Sequence, residues 1–128
     1  MIAVDTNVLV RIFIDDTNVS QVKKSRDLAK KAKHVYLVTT VIVEMVWVLD
    51  RAFKLNKSQI IAILQEVYEN SAFILENEAI FLQALLLFKE NNADFSDCII
   101  FNSAQIANVK EIYTFDEKFA RITGVKRL

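Results

Sequence analysis

The first ten residues read MIAVDTNVLV (residues 1 to 10), an apolar run of strand character that is interrupted by Asp5, Thr6 and Asn7. Ile2 to Val4 is predicted to be a short buried strand, and the apolar spacing from Val8 to Ile14 predicts a helix. Asp5 therefore follows directly on the first strand. In parallel sheets, ligands bind at this carboxyl end of the strands.

The rest of the chain alternates between strands and helices. Further strands are predicted at residues 35 to 39, 72 to 75 and 111 to 115, where β-branched and aromatic residues cluster. Helical spacing covers residues 19 to 33, 41 to 54, 59 to 69, 78 to 90 and 96 to 107, with a last helical turn near the C-terminus. This order predicts an α/β fold with a mainly parallel central sheet and helices on both faces.

The chain has no proline and only one glycine, so other residues have to mark the ends of its helices. Thr40 and Ser58 are predicted to be the N-caps of two helices. Asparagine is the best substitute for glycine at a left-handed C-terminal cap. We expect that role at four places: Asn56, Asn70, Asn91 or Asn92, and Asn108.

The 128 residues are expected to form one domain, residues 1 to 128, that folds without a disulfide or a structural metal. Cys98 is the only cysteine and no Cys/His cluster could bind zinc, which favours a reducing, cytoplasmic location. Asp5 interrupts any apolar leader segment, and no apolar run reaches the ~20 residues that cross a membrane. We therefore expect a soluble protein without a membrane partner.

The formal net charge is zero, so nucleic-acid binding has to come from a local site and not from overall charge. Lys23, Arg26, Lys30 and Lys33 form a basic stripe on one predicted helix, which is either a solvated face or a set of phosphate contacts. An uncharged chain with 53% apolar residues also favours self-association or a tight protein partner.

Two acidic residues follow predicted strands. Asp5 follows the first strand and Asp116 the last, so in a parallel sheet both side chains emerge at the same edge. Either could cap the next helix. Because Thr6 or Asn7 could provide the first cap without a charge, Asp5 is predicted to be surplus to capping.

Two further places carry acids inside apolar surroundings. Glu44 lies within TTVIVEMVWVL (residues 39 to 49), which predicts a buried carboxylate. Burial of an unpaired carboxylate is costly, so Glu44 needs either an ion pair with Arg or Lys or a metal ion. Asp94 and Asp97 begin another helix; Asp94 could be only its cap, whereas Asp97 lies inside the helix and is favoured as a site residue.

A cation would explain these acids if Asp5, Glu44, Asp97 and Asp116 converge. Two carboxylates ~4 Å apart repel by about 4 kcal/mol at an effective dielectric near 20, which opposes folding unless protons or a cation neutralise them. The ligands would all be oxygen atoms, which suits Mg²⁺ or Mn²⁺ and not zinc. His34 is the only histidine, so Ser-His-Asp and Cys-His mechanisms are not expected. Carboxylate-held divalent cations serve mainly in phosphoryl transfer.

The sequence resembles the PIN domain family of Mg²⁺-dependent ribonucleases, and in particular the short VapC-type toxins of toxin-antitoxin pairs. The resemblance covers essentially the whole chain. It differs at Cys98 and Phe101, where small alanines are more common in the family. Four stretches carry the resemblance: VDTNVLV (residues 4 to 10), TTVIVEMVWVL (39 to 49), ADFSDCII (93 to 100) and IYTFDEKF (112 to 119).

The resemblance implies a PIN-like three-layer sandwich and an endoribonuclease that cleaves RNA phosphodiesters with metal-activated water. Asp5, Glu44, Asp97 and Asp116 would be the catalytic residues and would ligate Mg²⁺, for which Mn²⁺ could substitute. Asp94 is a further candidate ligand that would act through a water, and Asn7 and Thr114 would hydrogen-bond the acids and orient them. The stripe on residues 23 to 33, with Lys126 and Arg127, would hold flanking phosphates.

The family also implies a cognate antitoxin and a homodimer. AIFLQALLLF (residues 79 to 88) is apolar on nearly every helical face, which fits either an interface or a buried core helix. A housekeeping RNA-processing PIN nuclease and a catalytically silent PIN-like binding module remain as alternatives. A phosphatase of the haloacid dehalogenase type is less favoured, because it needs a second acid where this chain has Asn7.

Overall fold

The structure, a computed structural model, describes all 128 residues. The helices are α1 (Thr6–Phe13), α2 (Val19–Ala32), α3 (Thr39–Arg51), α4 (Lys57–Glu69), α5 (Glu78–Glu90) and α6 (Phe95–Ile106). The strands are β1 (Ile2–Ala3), β2 (Val35–Leu37), β3 (Phe73–Leu75), β4 (Ile112–Thr114) and β5 (Val125–Arg127), and Phe119–Arg121 form one 3₁₀ turn. Every strand pair is parallel, so the predicted α/β fold with parallel strands is confirmed.

The chain divides into two compact units, residues 1 to 77 and residues 78 to 128. The first unit contains a three-stranded sheet in the order β1-β2-β3, with Ile2 beside Val35 and Val35 beside Phe73. Helices α1 to α4 belong to the same unit. Its core is made of fully buried aliphatic side chains that include Leu9, Leu37, Met45, Leu49, Leu64 and Val67.

The second unit combines α5 and α6 with the pair β4-β5, in which Ile112 lies beside Val125. Its core is aromatic where the two helices meet. The ring of Phe95 packs edge-on against Phe81 and Phe88, with centroids 6.1 and 5.6 Å away. This packing fixes the start of α6, where two of the predicted site acids lie.

Strand β5 was not predicted, because VKR (residues 125 to 127) is short and mostly charged. Asp116 therefore follows the fourth strand and not the last one. Strand β4 pairs with β5 in a ladder of its own, so it is not hydrogen-bonded to the three-stranded sheet that begins with β1. None of the helices is long and apolar enough to cross a membrane.

Both predicted N-caps are wrong. Helix α3 begins at Thr39, one residue before the predicted cap, and the Thr39 N–H donates to Glu76 Oε1 at 2.8 Å. A carboxylate distant in sequence thus replaces the local cap. Helix α4 is capped by Asn56, which forms a reciprocal capping box with Gln59, and Ser58 lies inside the helix.

Asparagine also adopts the left-handed conformation at helix ends less often than predicted. Only Asn108 has the expected left-handed conformation, with φ of 59°, whereas Lys33 and Lys54 adopt positive φ angles of 66° and 55° without being predicted to do so. Asn70 remains at negative φ and its Oδ1 accepts the Ala72 N–H at 2.9 Å. Local side-chain hydrogen bonds compete with the left-handed role, and a sequence pattern does not separate the two.

Candidate metal centre

Two acids are placed by the start of α6. Asp94 occupies the N-cap position but its side chain makes no capping hydrogen bond, so the carboxylate is available to another partner. Asp97 follows three residues later, which places it on the same side of the first turn. Phe95 and Ala93 on either side of Asp94 are buried, and they anchor the turn from which both carboxylates extend.

Asp116 is placed by the loop between β4 and the 3₁₀ turn. Its N–H donates to Thr114 Oγ1 at 2.9 Å, and its Oδ1 accepts the N–H of the buried Phe119 at 2.9 Å. One carboxylate oxygen therefore holds the turn in place. The other oxygen remains for a ligand.

Asp94, Asp97 and Asp116 form the acid cluster: one carboxylate oxygen of each lies within 4.8 Å of the others. Asp97 is half-buried and its pKa is raised to about 6, first by burial and then by the charges of Asp94 and Asp116. Two unit charges at such a distance repel by about 3 kcal/mol at an effective dielectric near 20, and by less where water screens them. The cluster is thus strained by its own charge in the absence of a cation.

The chemistry of the acid cluster fits a hard divalent cation. All its donors are carboxylate oxygens, which Mg²⁺ and Mn²⁺ prefer, and it contains no histidine or cysteine. Cys98 is adjacent to Asp97 in sequence but is buried in the core, and His34 is exposed on the other unit. Asp94, Asp97 and Asp116 are therefore the residues that would hold a metal ion here.

Asp5, in the first unit, caps α1, since its Oδ1 accepts the Val8 N–H at 3.1 Å. The prediction that Asp5 is surplus to capping is wrong. Thr6 is the first residue of the helix and Asn7 the second, so neither is in position to cap it. The capping bond uses one carboxylate oxygen, and Oδ2 remains for another interaction.

Glu44 is exposed and not buried as predicted. The buried face of α3 consists of Ile42, Met45, Val46 and Leu49, at helical spacing, and Glu44 lies off that face. The prediction was wrong because α3 has apolar residues on exposed sides as well as on its buried face, so apolar neighbours in sequence do not make Glu44 buried. Neither an arginine nor a lysine pairs with Glu44; instead its Oε2 accepts the Thr6 hydroxyl at 2.7 Å.

The contact made by Thr6 was not predicted from the sequence. Its hydroxyl joins Glu44 to the start of α1, at the residue that follows Asp5. The signal was present in Asp-Thr-Asn, where Thr6 was considered only as a cap. Its hydroxyl lacks a capping role because Asp5 already has it.

The two predicted orienting residues make different contacts from those expected. Thr114 binds the main-chain N–H of Asp116 and thereby shapes the loop, but it does not bind the carboxylate. Asn7 is exposed, and its main-chain carbonyl accepts from Arg11 at 3.2 Å. Neither side chain is hydrogen-bonded to a carboxylate of the predicted site.

Several basic residues of the predicted phosphate stripe are already paired. Lys23 bridges Asp27 one turn later, and Lys126 bridges Glu111 at 2.7 Å. Arg26 donates from Nε to the carbonyls of Arg11 and Ile12, at the end of α1. Its role is therefore mainly structural, which argues against a phosphate contact by this side chain. Lys30, Lys33 and Arg127 are exposed.

Asp97→Asn is expected to stabilise the metal-free protein at neutral pH. The pKa of Asp97 is higher in the folded than in the unfolded chain. Its protonated form therefore stabilises the fold in full below about pH 4, and this stabilisation is lost as the pH rises through about 6. Asp97 is partly exposed, so after discounting for solvent screening we expect about 1 kcal/mol, or roughly 3 °C in Tm, at pH 7.5 in EDTA.

Differential scanning calorimetry at pH 7.5 and pH 4 checks this expectation. At pH 4 the two proteins should melt together, because Asp97 is then uncharged in the folded wild type. Added Mg²⁺ should raise the Tm of the wild type more than that of the variant, by mass action. An Asp97→Asn protein that is less stable in EDTA at pH 7.5 would contradict the proposed charge strain.

Comparison with known proteins identifies the family of this chain. A family model of the PIN domain matches residues 2 to 125, a range that contains Asp5, Glu44 and the acid cluster. The VapC ribonuclease of Aquifex aeolicus (strain VF5) is 22% identical over 96 residues, which cover 75% of this chain and 71% of that protein. Since the family model spans nearly the whole chain, this protein belongs to the PIN domain family.

Proposed function

We propose that this protein is a divalent-metal-dependent endoribonuclease and the toxin of a toxin-antitoxin pair. The observation that carries the proposal is the acid cluster, in which three carboxylates lie within 4.8 Å and the pKa of Asp97 is raised to about 6. Membership of the PIN domain family and the similarity to a protein named VapC ribonuclease support the choice of RNA as substrate.

Mg²⁺ is the proposed cofactor, with Mn²⁺ as a substitute. Asp97 and Asp116 would hold it, with Asp94 beside them, and the family pattern adds Asp5 and Glu44 to the residues required for activity. When bound, a divalent cation supplies charge stabilisation at the phosphate and activates water as the nucleophile.

Hydrogen bonds within the chain hold the carboxylates of Asp116 and Glu44 in position. Asp116 is held through its main-chain N–H by Thr114 and through Oδ1 by Phe119, so its second oxygen has a fixed position. Thr6 similarly holds Glu44 through its hydroxyl. Such preorganisation reduces the reorganisation needed when charge develops on the phosphate.

Cleavage of total RNA tests the proposal. The purified full-length protein is incubated with Mg²⁺, with Mn²⁺ and with EDTA, and the RNA ends are mapped by sequencing. We expect discrete cuts with either metal, and none in EDTA because the carboxylates repel the phosphate when no cation is bound. Uncut RNA in the presence of both metals would overturn the nuclease and favour a silent binding module.

The proposed toxin role implies two protein partners, an antitoxin and a second copy of the chain. An antitoxin encoded beside this chain should copurify with it and abolish cleavage, and the active protein should act in the cytoplasm as a homodimer. Coexpression with the product of a neighbouring short reading frame, followed by the RNA assay, tests the antitoxin. An active nuclease that no neighbouring product inhibits would instead be an RNA-processing enzyme. Equilibrium sedimentation tests the dimer.

A further inference from the structure

A cavity of about 340 Å³ lies beside Asp5 and is lined by residues of α1 and α2. Asn7 and Arg11 of α1 and Gln21 and Lys24 of α2 line it together with Asp5. Its volume is at the lower end of the range for small-ligand sites. A volume of this size admits a small group such as one ribose-phosphate unit.

The polar groups of this cavity differ in how much of their bonding capacity is already used. Arg11 is partly committed: its Nη2 pairs with Asp16 at 2.8 Å and its Nη1 donates to the Asn7 carbonyl, whereas its buried Nε has no hydrogen-bond partner. Ser25, at the base, donates its hydroxyl to the Gln21 carbonyl at 2.8 Å. Lys24 is exposed and forms no ion pair, unlike its neighbour Lys23.

We propose that Lys24 binds a backbone phosphate of single-stranded RNA in this cavity. The inference rests on the proposed ribonuclease function and names a substrate contact for it. Asp5 lies in the same cavity, and an anionic strand passing a carboxylate needs a cationic group nearby. Since the chain has no net charge, that attraction has to be local.

Lys24 is therefore distinguished from the other basic residues of α2 by its position in the cavity. Lys23 and Arg26 on the same helix have acidic partners, Asp27 and Asp15. Lys31 is exposed on α2 two turns beyond Lys24, about 10 Å along the helix, and does not line the cavity. Lys31 thus matches Lys24 in charge, helix and exposure, and serves as its control.

The test measures RNA binding by the full chain in an Asp97→Asn background, so that RNA is not cut during the titration. The affinity for a short single-stranded RNA is followed by fluorescence anisotropy between 50 and 200 mM KCl at constant Mg²⁺, alone and with Lys24→Ala or Lys31→Ala. We expect Lys24→Ala to weaken binding about 5- to 10-fold and to reduce the salt slope by about 0.7, as for the loss of one phosphate contact on a single strand. Lys31→Ala should change neither quantity appreciably.

Cleavage of the same RNA by the wild type distinguishes a failure of the Lys24 contact from a failure of the proposed ribonuclease function. If the wild type cuts the RNA and Lys24→Ala behaves like Lys31→Ala in both affinity and salt slope, the phosphate contact is overturned while the nuclease stands. If the wild type neither binds nor cuts RNA with Mg²⁺ or Mn²⁺, the proposed function fails and the inference falls with it. Both lysines are exposed, so neither substitution should disturb folding.

Discussion

Asp97→Asn is expected to reduce metal-dependent RNA cleavage by on the order of 1,000-fold. The substitution keeps the shape of the side chain and removes its charge, so the acid cluster loses a third of its negative charge and its most buried carboxylate. Folding should not suffer, since the same change relieves repulsion in the metal-free protein. Cleavage rates of a defined RNA at saturating Mg²⁺ give the measurement.

Asp50→Asn is the matched control for this loss. Asp50 is an exposed carboxylate on α3 outside the acid cluster, so its neutralisation should leave the rate within about twofold. Asp97→Asn with more than a tenth of the wild-type rate would contradict the assignment. The same assay applied to Asp5→Asn tests the first strand's acid without removing the helix cap, because asparagine caps as well as aspartate.

Phe95→Ala is expected to destabilise the protein by about 3 to 5 kcal/mol, a fall in Tm of roughly 10 to 15 °C. Phe95 is 1% exposed and its ring contacts the rings of Phe81 and Phe88, so truncation leaves a cavity between α5 and α6. Because Phe95 is flanked by Asp94, its loss should also loosen the start of α6. The rise of Tm that Mg²⁺ produces should therefore shrink.

Phe115→Ala is the control for this prediction. Phe115 is 76% exposed, and surface substitutions of this kind usually change stability by less than about 0.5 kcal/mol. Scanning calorimetry with and without Mg²⁺ compares both variants with the wild type. Equal melting temperatures for Phe95→Ala and Phe115→Ala would show that the aromatic packing at α6 does not support the fold.

Strand and helix positions were predictable wherever local pattern decides them. The short β-branched stretches became β1 to β4, and the helical spacing became α1 to α6 with shifts of at most three residues at the ends. Helix starts were less predictable, because two or three neighbouring residues can act as a cap. Ser58 and Asn56 are both good capping residues, and the capping box with Gln59 decided between them.

The candidate site was also predictable only in part. Residue type alone determined that carboxylates and not histidine or cysteine would carry any metal, and spacing along one helix placed Asp94 and Asp97 on one side of a turn. The approach of Asp116 to them depends on the loop after β4, in which Thr114 and Phe119 bind its main chain and side chain. Such contacts are not encoded in any local pattern.

The sequence by itself determined the fold class, the family and the oxygen chemistry of the site, because these follow from local periodicity, residue type and the order of motifs. Tertiary structure alone decided that Glu44 is exposed and bound to Thr6, that Asp5 caps a helix, and that Lys24 lines a cavity. The physical reason is that burial and hydrogen bonding depend on which faces meet, and an apolar helix such as α3 offers more apolar faces than its packing buries.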